Sequence, residues 1–209
     1  KPEGQLDGLD RDSVASNLRT VISWIKEEKL NLTTTTGGEN DKMIKSSPQF
    51  ITLIVRKGNR LILNEIELKE SLKLTFPDYE VKVIAEEFTP LLEMISTVHA
   101  TKVLIGVHGA LLSLAMFLQP KSVLIELFPF GIPAENYTPY KTLAGLPGID
   151  IEYRAWMNPI EEAPANVYHD SRHRILGGLK HLPASYEAGI KATKTVPRHI
   201  CCYSPIWKF

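Results

Sequence analysis

The sequence predicts an α/β protein with a Rossmann-like parallel sheet and helices on both faces. Short apolar segments of strand length alternate along the chain with longer segments whose apolar residues recur at helical spacing. The strand segments are apolar along nearly their whole length, which indicates burial on both faces and therefore a parallel sheet. With 209 residues, 44% of them hydrophobic, the chain is long enough to bury a substantial core.

Residues 1–48 are predicted to be a helix and a flexible loop that lead into the domain. Apolar residues recur three and four positions apart from Val14 to Ile25, after a capping sequence at Asp12-Ser13, and predict a helix over about residues 13–29. The run TTTTGGENDKMIKSS that follows is polar and contains two glycines, which is typical of an exposed loop.

Residues 49–156 are predicted to form a Rossmann-like nucleotide-binding domain. Two of its helices carry start signals: Asn64 with Glu67 resembles a capping box, and Thr89 stands before Pro90 as a cap before a first helical residue. The predicted strands cover residues 49–55, 80–85, 101–107, 122–128 and 149–156, and the predicted helices cover residues 64–76, 89–100 and 110–118.

Residues 157–209 are predicted to be an irregular segment and a C-terminal helix that packs back on the domain. They contain the adjacent Cys201 and Cys202, which rarely pair with each other because the small ring strains the peptide, so their pairing stays open. We expect the chain to be a fragment of a longer protein.

The charge balance indicates whether nucleic acid or a membrane surface is an expected partner. Basic and acidic side chains number 24 each, so no nucleic-acid partner is expected and nothing favours an anionic membrane surface. No apolar run reaches the roughly 18 residues of a membrane-spanning helix. A membrane attachment is therefore expected only through an anchor absent from this chain.

Polar and charged residues follow the predicted strands at one edge, where open α/β sheets bind ligands. Arg56 and Arg60 follow the first strand; they suit a diphosphate, or they are two solvated surface arginines. His108-Gly109 follows the third strand. Gly109 would let the backbone approach a ligand, and the helix from Ala110 would direct N–H groups at an anion. The alternative is a tight turn with a satisfied buried histidine.

Glu126 stands 17 residues after Gly109, near the spacing at which an acidic residue of Rossmann domains meets ribose hydroxyls. The alternative is a partner for a lysine or a helix end. One nucleotide would use all of these groups, but no G-x-G-x-x-G motif follows the first strand, so a dinucleotide is not expected. No metal site is predicted, because His169 and His173 lack a third ligand.

Five motifs resemble glycosyltransferase family 61 over residues 49–209. They are RLILNE (60–65), VHGALL (107–112), IELFPF (125–130), YTPYKTLAGLPGIDIEY (137–153) and VPRHICC (196–202). The resemblance implies the nucleotide-binding half of a GT-B enzyme that uses UDP-GlcNAc without a metal. It further implies transfer of GlcNAc, with inversion, to the O-linked mannose of a glycoprotein acceptor such as α-dystroglycan.

The resemblance also implies that residues at the predicted sheet edge bind the sugar nucleotide: Arg56, Arg60, Asn64, Glu65, His108, Gly109, Ala110, Glu126, Tyr137 and Tyr140. The arginines would stabilise the departing UDP in place of a metal, with Asn64 and Glu65 holding their turn or reaching the nucleotide. Glu126 would meet the ribose, and the tyrosines would line the sugar or uracil pocket. The catalytic base is unassigned, with His108 and Glu65 as candidates.

The implied location is the endoplasmic reticulum lumen, with a membrane anchor in the full-length protein. The glycosylation sequons at Asn31 and Asn136 fit that location. Three other functions stay open: a catalytically inactive fragment that binds a sugar nucleotide or carbohydrate, another family 61 transferase, and a cytosolic sugar-nucleotide enzyme. Other transferases of this family include EGF-domain O-GlcNAc transferases and xylosyltransferases. The sequons and the secretory resemblance argue against the cytosolic enzyme.

Overall fold

The structure is a computed structural model that describes residues 11–30, 50–56, 62, 64–85, 88–128, 134–136, 138–157 and 184–193. The strands are β1 (Phe50–Val55), β2 (Glu80–Ala85), β3 (Thr101–Val107), β4 (Val123–Phe128) and β5 (Glu152–Met157). The α-helices are α1 (Arg11–Leu30), α2 (Glu65–Thr75), α3 (Leu91–His99), α4 (Pro139–Ala144) and α5 (Ala184–Thr193). Within these described residues, two 3-10 helices cover Ala110–Phe117 and Ala134–Asn136.

The five strands form one sheet in the order β2-β1-β3-β4-β5, and every neighbouring pair is parallel. The predicted α/β class and parallel sheet are therefore confirmed. From β1 the chain first adds β2 on one side and then crosses back to add β3 on the other. The winding direction reverses between β1 and β3, and such a reversal opens a crevice at the carboxyl ends of the two strands.

Apolar side chains on both faces of the sheet are covered, as the continuous apolar strands predict. On one face, Ile54, Leu104 and Leu124 lie in a buried cluster with residues of α1, α3, α4 and the first 3-10 helix. On the other face, Leu53 and Ile105 lie in a second cluster against α2. Alternation along each strand explains the two clusters, because successive side chains point to opposite faces.

The starts of α2 and α3 differ from the prediction. Asn64 precedes α2, but its side chain makes no capping hydrogen bond, so the predicted capping box is not formed. Pro90 is the residue that precedes α3, rather than its first residue. The Thr89 hydroxyl is not the cap; it accepts a hydrogen bond from the Ala85 backbone N–H at 3.3 Å and so closes the turn that follows β2.

The predicted helix after β3 is a 3-10 helix over Ala110–Phe117 rather than an α-helix. Its first turn closes with a hydrogen bond from the Leu112 N–H to the Gly109 carbonyl at 3.0 Å, the tighter pattern of this helix type. Leu112 is pressed against the sheet at Gly106, where a β-carbon would lie 2.9 Å from Leu112 Cδ2. The missing side chain at Gly106 therefore lets the helix lie close to β3.

The chain after β4 also differs from the prediction. No helix is predicted from the sequence where α4 lies, and β5 begins at Glu152, three residues later than predicted. The residues before β5 form turns in which Gly148 has a φ of 78°. Most of residues 157–209 lie outside the described part of the chain; within α5, Ile190 is buried. Among the described residues, no helix is both long and apolar enough to cross a bilayer.

Candidate functional site

The sheet register brings the ends of β1 and β3 side by side. Ile54 pairs with Gly106, so Arg56 and His108, each two residues further on, leave the sheet at equivalent positions. The His108 backbone N–H donates to the Leu127 carbonyl at 2.9 Å, which extends the β3–β4 ladder by one residue. The two side chains therefore flank the reversal of winding, where parallel sheets bind ligands.

The His108 ring is held on three sides. Its Nδ1 lies 2.5 Å from Glu126 Oε1. Phe128 stacks on the ring with centroids 5.2 Å apart and an angle of 23° between the planes, and Tyr140 approaches it edge-on at 5.8 Å. Because only 14% of the His108 side chain is exposed, its orientation is fixed by these contacts.

Glu126 is fully buried, and both of its carboxylate oxygens accept hydrogen bonds from side chains. Oε1 accepts from His108 Nδ1, and Oε2 accepts from the Tyr153 hydroxyl at 2.6 Å. Burial is the largest cause that raises the pKa of Tyr153 well above its usual range, and the hydrogen bond and the negative charge of Glu126 raise it further. Tyr153 therefore keeps its proton and donates it to Glu126.

The contacts of Glu126 affect whether its carboxylate can also meet the ribose hydroxyls, as predicted. The carboxylate has no exposed surface, and its two oxygens are already used by His108 and Tyr153. The geometry of the described residues supports a role in orienting His108 better than a direct contact with ribose. A buried carboxylate with two charge-assisted hydrogen bonds is well suited to fix a histidine ring.

Other predicted site residues lie around this edge. Arg56 is half-buried at the end of β1, Asn64 is exposed before α2, and Glu65 is the first residue of α2. Gly109 is buried, and Ala110 is exposed as the first residue of the 3-10 helix. The backbone at Gly109 is extended, with a φ of 169°, so its dihedral angles by themselves do not require glycine.

Two predicted site residues, Arg60 and Tyr137, lie outside the described residues. The same holds for His169, His173 and the two cysteines. Within the described parts of the chain, no group of three or more histidine, cysteine, aspartate or glutamate side chains is placed to hold a metal ion. Metal independence stays a prediction.

Sequence reasoning missed Tyr153 and Phe128. Phe128 stands two residues after Glu126, so period-two alternation on β4 places both on the same face, and that signal was available in the sequence. Tyr153 lies on the next strand, and its contact with Glu126 depends on the β4–β5 register, in which Leu124 pairs with Tyr153. No sequence signal gives that register.

Comparison with known proteins identifies a family that matches the chain. The family model described as Glycosyltransferase 61 matches residues 16–125, more than half of the chain, from α1 into β4. The matched range contains Arg56, His108 and Gly109 and ends immediately before Glu126.

Several vertebrate relatives carry the name protein O-linked-mannose beta-1,4-N-acetylglucosaminyltransferase 2. The Tetraodon nigroviridis protein is 40% identical over 196 residues, which cover 94% of this chain and 32% of the relative. The Mus musculus protein is 41% identical over 161 residues, covering 77% and 27%, and the Danio rerio protein is 44% identical over 156 residues, covering 74% and 26%. The chain thus spans a third or less of the length of these relatives. On the family match, which extends over more than half of its residues, the chain belongs to glycosyltransferase family 61.

Proposed function

We propose that this chain is the sugar-nucleotide-binding part of a glycosyltransferase that transfers GlcNAc from UDP-GlcNAc to protein O-linked mannose. The observation that carries the proposal is the placement of Arg56 and His108 on either side of the reversal of winding in a family 61 sheet. The names of the relatives support the donor sugar and the O-mannose acceptor.

The diphosphate of UDP is the ligand chemistry that best fits this edge. The Arg56 guanidinium is a permanently charged, planar donor that matches phosphate oxygens. Next to it, the backbone turn at His108-Gly109 leads into the N–H groups at the start of the 3-10 helix. When the glycosidic bond to UDP breaks, negative charge grows on the diphosphate, and fixed donors at this edge stabilise that charge. In our proposal Arg60 adds a second guanidinium and no metal is required.

The wider activity is proposed from the family resemblance. We propose a GT-B architecture in which this sheet binds the donor and a second domain binds the acceptor, with inversion at the sugar carbon. The proposed acceptor is an O-mannosylated glycoprotein such as α-dystroglycan, and the proposed location is the endoplasmic reticulum lumen. The sequons at Asn31 and Asn136 support a luminal location, since N-glycans are added there.

Calorimetric titration of the chain with UDP tests the donor site. Arg56→Ala and Arg60→Ala should each weaken UDP binding about ten- to a hundredfold, because each loses a charge-assisted contact. Arg154→Ala is the matched control: Arg154 is an exposed arginine that pairs with Glu152 on β5, and its removal should leave UDP affinity unchanged. Parent-like binding by both site variants would place the nucleotide elsewhere.

The metal question needs the same titration with and without a chelator. The proposal expects equal UDP affinity in both conditions. Affinity that disappears with the chelator and returns with manganese would overturn the arginine account of the diphosphate.

Transfer is measured with the full-length protein, UDP-GlcNAc and a synthetic O-mannosyl peptide. Product carrying one added GlcNAc is expected, and the Arg56→Ala variant should form it more slowly. A full-length protein that binds UDP but never glycosylates this peptide would favour a different acceptor or a binding role alone.

A further inference from the structure

Three polar side chains form a hydrogen-bonded row across β3, β4 and β5. The row runs from His108, just past the end of β3, through Glu126 of β4 to Tyr153 of β5. Glu126 is level with Gly106 of β3, and Tyr153 is level with Leu124 of β4. The row therefore starts at the carboxyl edge of the sheet and leads diagonally into its covered face.

The donors and acceptors in this row fix the proton on the His108 ring. Tyr153 keeps its hydroxyl proton and donates it to Oε2 of Glu126. A carboxylate has only acceptors, so the 2.5 Å contact at Oε1 requires a proton on His108 Nδ1. In the neutral ring, Nε2 is then the nitrogen without a proton; in the charged ring it is a second donor.

Burial along the row is uneven. Glu126 has no exposed surface, whereas the His108 side chain retains a small exposed fraction at the edge beside Arg56. Burying a carboxylate is costly unless it is hydrogen-bonded, and here two side chains from other elements supply those bonds. A costly arrangement that ends at a largely buried ring with a small exposed fraction is expected where a functional histidine must be held in one orientation.

We propose that Glu126 and Tyr153 are positioning residues, which hold His108 with a proton on Nδ1 so that Nε2, as the second donor of the charged ring, meets the phosphates of the sugar nucleotide. The inference rests on the proposed function, because it takes the nucleotide site to be at this edge. Neither Glu126 nor Tyr153 contacts the ligand; each acts through the ring. Tyr153 is the residue whose role goes beyond the sequence prediction.

The first test measures directly which nitrogen of the His108 ring carries the proton. Two-bond proton–nitrogen correlation spectra of ¹⁵N-histidine-labelled chain report which ring nitrogen carries the proton, and the His108 signals are those missing from His108→Ala. The inference expects a proton on Nδ1 in the parent. A neutral His108 with its proton on Nε2 alone would overturn the inference without any variant having to fold.

The second test asks whether Tyr153 acts through His108. Calorimetry with UDP is performed on the parent, Tyr153→Phe, His108→Ala and the double variant. Tyr153→Phe should weaken UDP binding about two- to tenfold, because one hydrogen bond to Glu126 is lost. In the His108→Ala background the same change should have almost no effect, because the group that it positions is gone.

A general loss of stability would give a different pattern. If Tyr153→Phe weakens binding by the same factor with and without His108, the effects are independent and the positioning role is wrong. Tyr79→Phe is the matched control, since Tyr79 packs with the cluster on the opposite face of the sheet and should bind UDP like the parent. A parent chain that does not bind UDP overturns the proposed function and this inference together, whereas additive losses overturn only the inference.

Discussion

His108 and Glu126 are 18 residues apart in the chain, and their side chains meet at 2.5 Å across neighbouring parallel strands. The separation is the length of one crossover: the 3-10 helix and the turn after it return the chain to the start of β4. A spacing of 17 residues after Gly109 predicts a ribose carboxylate in a Rossmann domain. Almost the same spacing places a carboxylate beside the residue that follows the preceding strand, and the structure shows that contact.

Replacing Glu126 with glutamine should lower the free energy of unfolding by about 1–3 kcal/mol. Glutamine has one acceptor oxygen, but both neighbours of Glu126, His108 Nδ1 and the Tyr153 hydroxyl, donate. One of the two contacts must therefore rearrange at a position that is buried from solvent. Urea denaturation measures the change.

Glu152→Gln is the control for Glu126→Gln. Glu152 is exposed and pairs with Arg154 on the sheet surface, so its change should be within about 0.5 kcal/mol. Equal effects of the two glutamine substitutions would contradict the view that His108 Nδ1 and the Tyr153 hydroxyl need both acceptor oxygens of the buried Glu126 carboxylate.

Tyr153 should make stability depend on alkaline pH. The phenol titrates near pH 10 when the chain is unfolded, and burial, the hydrogen bond to Glu126 and its charge raise the pKa in the folded state. Above about pH 10 the unfolded state has lost a proton that the folded state keeps, so stability falls as pH rises toward the folded pKa. Phenylalanine cannot titrate. The stability advantage of the parent over Tyr153→Phe should therefore shrink as pH rises above that value.

Urea denaturation of the parent and Tyr153→Phe at a series of pH values from 7 to 11 provides the measurement. Other tyrosines and lysines affect both proteins alike, so the difference between the two curves isolates Tyr153. An advantage that stays constant or grows with pH would show that the Tyr153 hydroxyl is not held as a donor.

The fold was largely predictable because its signal is local. Continuous apolar runs such as 101–107 and 123–128 indicate strands buried on both faces, and β1 to β4 lie close to where those runs place them. The position of His108 at a strand end follows from the same pattern. Contacts that depend on register were not predictable: Tyr153 reaches Glu126 only because β5 pairs with β4 at one particular offset.

The tightness of a packed interface was also invisible in the sequence. Gly106 reads as one more residue of an apolar strand, and nothing nearby indicates that Leu112 occupies the space above it. The same contact helps to explain why the helix type was mispredicted. Helical spacing in an almost wholly apolar segment does not distinguish an α-helix from the 3-10 helix that the structure has there.

Gly106→Ala should destabilise the protein by about 1–3 kcal/mol, the usual cost of overpacking a buried site. The new β-carbon would lie 2.9 Å from Leu112 Cδ2 and 3.2 Å from Ile54 Cβ, so the 3-10 helix or β1 must shift. Gly189→Ala in α5 is the matched control. Its β-carbon meets nothing within 4 Å, and alanine should stabilise the helix by about 0.5–1 kcal/mol. Thermal unfolding measures both effects. A midpoint temperature for Gly106→Ala equal to that of the parent would contradict the tight contact.

The buried threonine pair of β1 and β3 gives a prediction about which hydroxyl donates the hydrogen bond between them. The Thr52 and Thr101 hydroxyl oxygens lie 2.6 Å apart, and both side chains are fully buried. Thr101 also donates to the Thr97 carbonyl at 2.7 Å. A hydroxyl has one proton. Because Thr101 donates its proton to the Thr97 carbonyl, Thr52 must be the donor within the pair.

The two threonines should therefore respond unequally to valine, which keeps nearly the same shape. Thr52→Val removes one donor and leaves the bond from Thr101 to Thr97 in place. Thr101→Val removes two bonds and leaves the buried Thr52 hydroxyl facing a methyl group, which should cost about 1–3 kcal/mol more. Urea denaturation of the two variants measures the difference, and UDP affinity should stay at the parent value because Thr101 begins β3, at the opposite end of that strand from His108. A larger loss of stability in Thr52→Val than in Thr101→Val would indicate the opposite direction, with Thr101 donating to Thr52.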